Sequence, residues 1–584
     1  MKGVLSYLKP YRKYMIFAWV LMLMELAVDL LHPLFMVKII DEGIVKGDLS
    51  IVYRWGALML LTSIIAFAAG ITNSFAASHV GQNFGYDVRK ALFKKIQTFS
   101  FADFNRFSSS TLITRLTNDV TQIQMTIFLF LRIALKAPLL VIFGTLMVFL
   151  INFRLALVLG VTIPLSIAFL VWMYKKSSHL FQIVQSKLDR VNGILSENLA
   201  GIRLIKAFLR SHFEGSRFKK ASHALMKKTI EVSTIVELVS PILHFVMNSS
   251  ILVILWFANK EILSNQAEIG EVVAIVNYAM RITMSLSMAT FILMFVSRAH
   301  ASTERIQDVL ETSVQMEEDK EVAPFQIQDG HICFKNVSFR YPGDSVTVLD
   351  DLSFTVEPNE TIAILGATGA GKSSLFQLIP RLYDVSEGAV HIDGIDVREM
   401  KQEHLRNQIG LVPQDALLFS GTIKENIQWG KEDATMDEII NAAKHAQIHE
   451  TIMKFPHSYR TVIGQKGVNL SGGQKQRISL ARAFIRQPKI LLLDDSTSAL
   501  DMKTEEKLLE GLRSYKGTKL LITQKISTAL KADRIFILED GKIVAMGTHG
   551  KLLRISDLYR KIVQSQNMRK GAFQYVKTSS ANEN

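Results

Sequence analysis

The residues best suited to chemistry form one short run, Gly366-Ala367-Thr368-Gly369-Ala370-Gly371-Lys372-Ser373-Ser374, between the apolar stretch Thr361–Leu365 and a helical pattern that opens at Ser374. Strand, glycine loop, helix is the order implied. Glycines let successive backbone N–H groups turn toward one centre, Lys372 can reach outer phosphates, and the Ser373 hydroxyl can hold a magnesium ion. The run reads as a cradle for a nucleoside triphosphate, against the plain alternative of a glycine-rich turn before a helix.

Further along, Lys489–Asp494 reads as a buried strand ending in two carboxylates, Asp494 and Asp495, where a magnesium ion and an attacking water would be handled. Ile409–Val412 is a strand running out into Gln414 and Asp415, and Leu520–Thr523 is another ending at Gln524. Ser471-Gly472-Gly473-Gln474 opens a helix over 474–485, and bare N–H groups at such a terminus attract anions. Ser498–Asp501 follows the carboxylates directly. Upstream, His331–Arg340 alternates as a strand and delivers Tyr341, an aromatic able to stack on a base.

These elements occupy only the second half of the 584 residues. With 49% apolar residues the chain needs at least two domains, one of them in lipid. Windows of about 20 apolar residues, enough to cross a bilayer, fall at 14–39, 56–78, 127–151, 155–174, 236–257 and 272–297. Six spans are expected. The long gaps 79–126 and 175–235 carry Arg89, Lys90, Lys94, Lys95, Lys175, Lys176, Arg203 and Lys206, which places them on the cytoplasmic side. They keep helical spacing, as at Val184, Leu188, Val191, Leu195 and Leu199, so the spans should continue as helices beyond the membrane and turn within 104–119 and 193–208. The +14 charge is thus accounted for by cytoplasmic loops; no basic run interleaved with aromatics points to nucleic acid. Met1–Lys13 is basic and should stay on the mature chain, and the single cysteine, Cys333, excludes a disulfide framework.

In the first span Glu25, Asp29 and His32 share a helix face. A charge at mid-membrane costs about 2.5 to 3.5 kcal/mol on insertion scales, so this face meets either partner residues on other helices or a polar cavity for a cationic or amphipathic cargo. Arg132, Lys136, Arg281, His244 and Asn248 are candidates to complete it, with Met280, Met284, Met288 and Met294 as soft surface. Near Glu311 the chain turns polar, giving expected domains of 1–310 in the membrane, a linker 311–329, a nucleotide domain 330–565 and a polar tail 566–584.

Taken in order, these motifs resemble a half-transporter of the ATP-binding cassette (ABC) exporter family over essentially the full length. The resemblance implies an N-terminal all-α membrane domain of six transmembrane helices, the type I exporter fold, followed by an α/β P-loop nucleotide-binding domain. It implies ATP and Mg²⁺ as cofactors, and a multi-pass cell-membrane protein with both termini and the nucleotide domain in the cytoplasm. By the same resemblance Tyr341 stacks on adenine, Gly366–Ser374 is the Walker A loop, Gln414 the glutamine-loop residue, Leu470–Gln474 the signature, Asp494 the Walker B aspartate and Asp501 the D-loop aspartate. Coupling helices are implied within 104–119 and 197–208. The pattern departs from the family where Asp495 stands for a glutamate and Gln524 for a histidine, and also at Gln465, usually acidic. Both of the first two changes touch water attack, so the site should bind ATP and hydrolyse it slowly. The expected partners are a second half-transporter in a heterodimer resembling bacterial multidrug exporters, the lipid bilayer and a small-molecule cargo. The alternatives are a homodimeric lipid or drug exporter and an ATP-binding regulatory membrane protein that pumps nothing.

Overall fold

The computed structural model describes residues 2–264, 266–313 and 326–566; the expected tail beyond Gln566, most of the linker and the Met294 side chain lie outside them. Two units result: 2–98 with 108–313, and 99–107 with 326–566.

The first unit is helical. Among the described residues six helices are long and apolar enough to cross a membrane: Gly3–Ile44, Leu49–Gln97, Ser109–Ile151, Phe153–Ala200, Ser211–Leu263 and Ile269–Met288, the last continuing as helix to Glu311. Each contains the start of one window read from the sequence, and most run far past it. The 49 residues of the second helix amount to about 70 Å at 1.5 Å per residue, over twice the hydrocarbon thickness. Close approach between helices is visible at Gly270, whose N–H donates to Asp41 Oδ1 (2.7 Å) and where a Cβ would lie 2.4 Å from the other oxygen of that carboxylate.

The turning points differ from those expected. The second helix already ends at Gln97, and Ser100 opens a short helix, α1 (Phe101–Arg106), through a reciprocal cap with Asp103. Ser108 then caps the returning helix, so 109–119 is helix and not part of the turn. Polar capping residues decide the break here, Ser100 ahead of the window chosen from apolar spacing and Ser108 near its start. At the second turn the helix passes through Gly193 to Ala200. The reversal is made by Gly201, the short helix α2 (Ile202–Ala207) and Leu209, whose φ of 53° is left-handed. One glycine inside a long helix costs only about 1 kcal/mol.

Among its described residues the second unit has two large sheets and a third of two short strands. Strands β1 (Ile332–Arg340), β2 (Thr347–Val356) and β4 (Glu387–Ile392) form an antiparallel sheet with β2 and β4 on either side of β1. The larger sheet takes β3 (Thr361–Gly366), β5 (Ile409–Val412), β6 (Ile490–Asp494), β7 (Thr518–Ile522), β8 (Arg534–Glu539) and β9 (Lys542–Gly547) in the order β9-β8-β3-β7-β6-β5. All neighbours are parallel except β8–β9. Strands β3, β6 and β7 are almost wholly buried, as continuous apolar runs covered on both faces must be. A core joins the two sheets through Phe334, Phe354 and Phe536, with Phe334 stacked on Phe354 at 4.5 Å.

Phe334→Ala removes a ring that is 1% exposed and should destabilise this unit by about 3 to 5 kcal/mol. The loss is expected as a lower midpoint when the detergent-solubilised chain is unfolded in urea, with Phe334→Leu losing much less.

Candidate functional site

Parallel register sets the site. Ile522 of β7 lies opposite Ile364 of β3 on one side and Asp494 of β6 on the other, so three strands end side by side and release their next residues at one edge. From β3 emerges Gly366-Ala-Thr-Gly-Ala-Gly371, from β6 Asp495, and from β7 Thr523 and Gln524. Ligands of parallel sheets bind beyond the carboxyl ends of the strands.

Two glycines in the loop cannot be replaced. A Cβ on Gly366 would lie 2.2 Å from the Leu538 carbonyl; Gly371 has φ 93° and no room, with Leu349 at 2.7 Å. Gly369 (φ 87°) turns the loop between them, and Ala367, Thr368 and Gly369 face solvent while Ala370 is buried. The helix α3 (Lys372–Leu378) follows at once, with Ser374 buried in its first turn. Lys372 folds over the loop and donates to the carbonyls of Gly366 (3.0 Å) and Ala367 (2.6 Å). Burial lowers the pKa of its ammonium, and the nearby Asp494 and Asp495 partly offset this.

Ser373 is exposed at the loop's end near Asp494, whose carboxyl pKa burial raises while Ser373 and Lys372 pull it back. A half-buried carboxylate beside a hydroxyl, with Gln414 exposed just past β5, is an oxygen donor set suited to a hard cation such as Mg²⁺. Asp495 stands next to it with φ 44°, a left-handed conformation that Asp tolerates better than most residues. Its pKa is raised by burial first and by Asp494 second, against the pull of Lys525 and Lys372.

The aromatic expected over the base has structural ties as well. The Tyr341 hydroxyl bonds Ser374 Oγ (2.8 Å) and donates to Gln377 Oε1 (3.2 Å), so its ring is fixed to α3. Tyr383 meets it edge-on at 5.2 Å and in turn reaches α1: its ring lies 6.1 Å from Phe101 and its hydroxyl accepts from Asn105 Nδ2 (3.1 Å). Tyr383 was not among the residues singled out from sequence. Nothing in its local spacing marks it, because its importance comes from two segments nearly 280 positions apart meeting at one ring.

Ser471, Gly472, Gly473 and Gln474 form the expected helix start, in a reciprocal cap: Gln474 N–H to Ser471 Oγ at 3.3 Å, Ser471 N–H to Gln474 Oε1 at 2.8 Å. A Cβ on Gly473 would fall 2.8 Å from the Ala499 carbonyl, so this segment packs on Ser498–Asp501. Asp501 caps the helix α4 (Met502–Ser514), accepting from Thr504 N–H (3.0 Å) and Thr504 Oγ1 (2.7 Å). Among the described residues no hydrogen bond or ring contact joins Ser471–Gln474 to the phosphate loop.

Around Gln524 the sequence missed a clasp. Gln566, expected to begin a polar tail, is the last described residue and is helical, as are 557–565 before it; it donates to the Gln524 carbonyl (2.7 Å) and accepts from Ile526 N–H (2.9 Å). The Gln524 side chain is exposed, and neighbouring Lys525 is drawn aside to Glu505 Oε2 (2.7 Å), which is itself buried and bonded to Thr528.

Within the spans, Glu25, Asp29, Arg132, Lys136 and Arg281 line one cavity of about 320 Å³ with Met284 and Met288. His32 is not among its walls and shares hydrogen bonds with Thr62 and Ser63; His244 is exposed and bonds the Ser240 carbonyl. Asn248 and Met280 are likewise exposed and outside it.

Two family models match, "ABC transporter transmembrane region" over residues 15–286 and "ABC transporter" over residues 349–498. An uncharacterized ABC transporter ATP-binding protein of Bacillus subtilis, YfiB, is 54% identical over 98% of this chain and all of its own length. A putative multidrug export ATP-binding/permease protein of the same organism, YgaD, is 32% identical over 97% of this chain and 99% of its own. The solved structure of a bacterial Atm1-family ABC exporter with ATP bound has the same fold, with a TM-score of 0.81 at 24% identity over 95% of this chain and 99% of that one. A six-helix transmembrane region and a nucleotide-binding unit in one polypeptide, matched end to end by such relatives, make this chain a member of the ABC transporter family, in the form of an ATP-binding/permease half-transporter.

Proposed function

We propose that this chain is one half of an ATP-driven exporter of amphipathic small molecules, and that it works in a heterodimer to which it brings one slow ATP site and one intact signature segment. The observation that carries the reading is the pair Asp495 and Gln524, released at the ends of neighbouring strands beside an otherwise complete phosphate grip. Asp is one methylene shorter than Glu, and a displacement of about an ångström can cost on the order of 100-fold in rate. Gln cannot take up a proton near neutral pH as His can. The nearest substitute cation, Lys525, is held by Glu505.

The binding side is intact. The loop N–H groups and Lys372 take the phosphates, Tyr341 takes the base, and Ser373, Asp494 and Gln414 are the residues that would hold Mg²⁺. When bound, Mg²⁺ neutralises charge on the transferred phosphoryl group. Because Ser471–Gln474 and the phosphate loop are separate half-sites in one chain, a second half-transporter is needed to complete each. A partner with Glu and His at the altered positions then has its own hydrolytic site completed by this chain's signature. The name of the YgaD relative supports multidrug cargo. Positive charge on the long gaps supports a cell-membrane protein with both termini and the nucleotide unit in the cytoplasm. Phe101 and Asn105 on Tyr383 support α1 as the segment through which nucleotide-driven movement reaches the spans.

Purified alone, the chain should release phosphate roughly 100-fold more slowly than when co-expressed with its partner half; brisk turnover of the lone chain overturns the asymmetric pair. Asp495→Asn should leave turnover of the pair nearly unchanged, whereas Asp495→Glu combined with Gln524→His should speed the lone chain. Abolished turnover in Asp495→Asn would make Asp495 the working base. Tyr383→Ala is expected to lower transport by the pair more than its ATP affinity, measured by vesicle uptake and nucleotide titration.

A further inference from the structure

The charged residues within the spans do not balance. Lys136 Nζ lies 2.7 Å from Glu25 Oε1 and 2.8 Å from Asp29 Oδ2, and Arg281 Nη1 lies 2.7 Å from Asp29 Oδ1. Two cations thereby satisfy two carboxylates. Arg132 is a third cation, and its partners are neutral: the Gly70 carbonyl at 2.9 Å and the Ser74 hydroxyl. Among the described residues no carboxylate is in ion-pair range of it. All five charged groups line the same cavity, which therefore carries one net positive charge. An excess cation in surroundings of low dielectric is costly, and an incoming anion relieves that cost. The carboxylates, which from sequence invited a cationic cargo, are already paired.

Beside this cavity lies another of about 460 Å³, sharing Ala137 and Ser285 with it and walled by apolar side chains such as Pro138, Val141, Leu170 and Leu286. Polar space with a spare guanidinium thus adjoins apolar space of comparable size.

We propose that these adjoining cavities bind an anionic amphiphile, its acid group on Arg132 and its apolar body along Val141 and Leu170. The planar fork of Arg132 suits carboxylate, sulfate or phosphate oxygens, with donors left over from its two present bonds. A free amphiphilic acid and an anionic lipid head group share this chemistry. The inference deepens the exporter reading and depends on it only in making this molecule the cargo, since binding requires no pumping.

The test places the full-length chain in nanodiscs of zwitterionic lipid and titrates two dansyl probes with the same alkyl chain, one ending in a carboxylate and the other in a trimethylammonium group. The carboxylate probe should bind roughly tenfold more tightly, since a hydrogen bond to a charged group is worth about that factor or more. Arg132→Gln should abolish the preference, Arg132→Lys should keep most of it, and Glu25→Gln, which releases part of Lys136, should increase it. Equal affinity for the two probes, preference for the ammonium probe, or a preference untouched by Arg132→Gln overturns the proposal. Displacement by phosphatidylglycerol would assign the site to lipid head groups, and displacement by dodecanoate alone to free acids; displacement by neither overturns it. ATP-driven uptake of both probes into inside-out vesicles containing the chain and its partner half is read separately. Binding of the carboxylate probe without any uptake sinks the exporter reading and leaves this inference standing, while uptake of the ammonium probe alone does the reverse.

Discussion

The nucleotide half of the molecule depends on one register. Hydrogen bonds between β3, β7 and β6 put Ile364, Ile522 and Asp494 in a row, and the glycine loop, Asp495 and Gln524 leave the sheet within a residue or two of that row. A slip of one residue would carry Leu492 and Leu520 out of the core they share with Phe334 and into the one that holds Leu491 and Leu521 on the other face. The phosphate loop adds a second constraint of the same kind. At Gly366 and Gly371 backbone and side chains of neighbouring segments come so near that no Cβ fits, and the cradle is held in shape by its surroundings rather than by its own preference.

Against that rigid frame the two altered positions are set in different environments. Asp495 is half-buried, in a left-handed backbone conformation, and burial, then Asp494, raises its carboxyl pKa. Gln524 is exposed, but its backbone is gripped by Gln566. The region is thus neither worn down nor loosely organised. A tightly packed glycine loop, a clasped Gln524 and a complete Ser471–Gln474 cap stand beside Asp495, and that combination fits the slow, nucleotide-retaining site proposed for this chain.

Charge in the membrane half obeys a different rule. There is no water to solvate an isolated ion, so Glu25 and Asp29 are matched by Lys136 and Arg281 from helices distant in sequence. The extra Arg132 is the exception, and it opens onto a cavity instead of lipid. Apolar space next to that cavity gives the membrane half a place with two characters, polar and oily, side by side.

Local chemistry determined much by itself. Apolar windows longer than about 20 residues had to become spans, and Ser471 with Gln474 had to cap a helix, because each rests on interactions among residues within a few positions. Helix ends were readable less well. Ser100 and Ser108 stop and restart the chain through capping bonds that apolar spacing does not report, and so the first turn lies earlier than the windows implied. Only the tertiary structure decided which charges cancel, that Tyr383 joins Tyr341 to Phe101, and that Gln566 reaches Gln524. Those pairings cross tens to hundreds of residues, and a linear pattern holds no information about which distant side chain will arrive at hydrogen-bonding distance once the chain has folded.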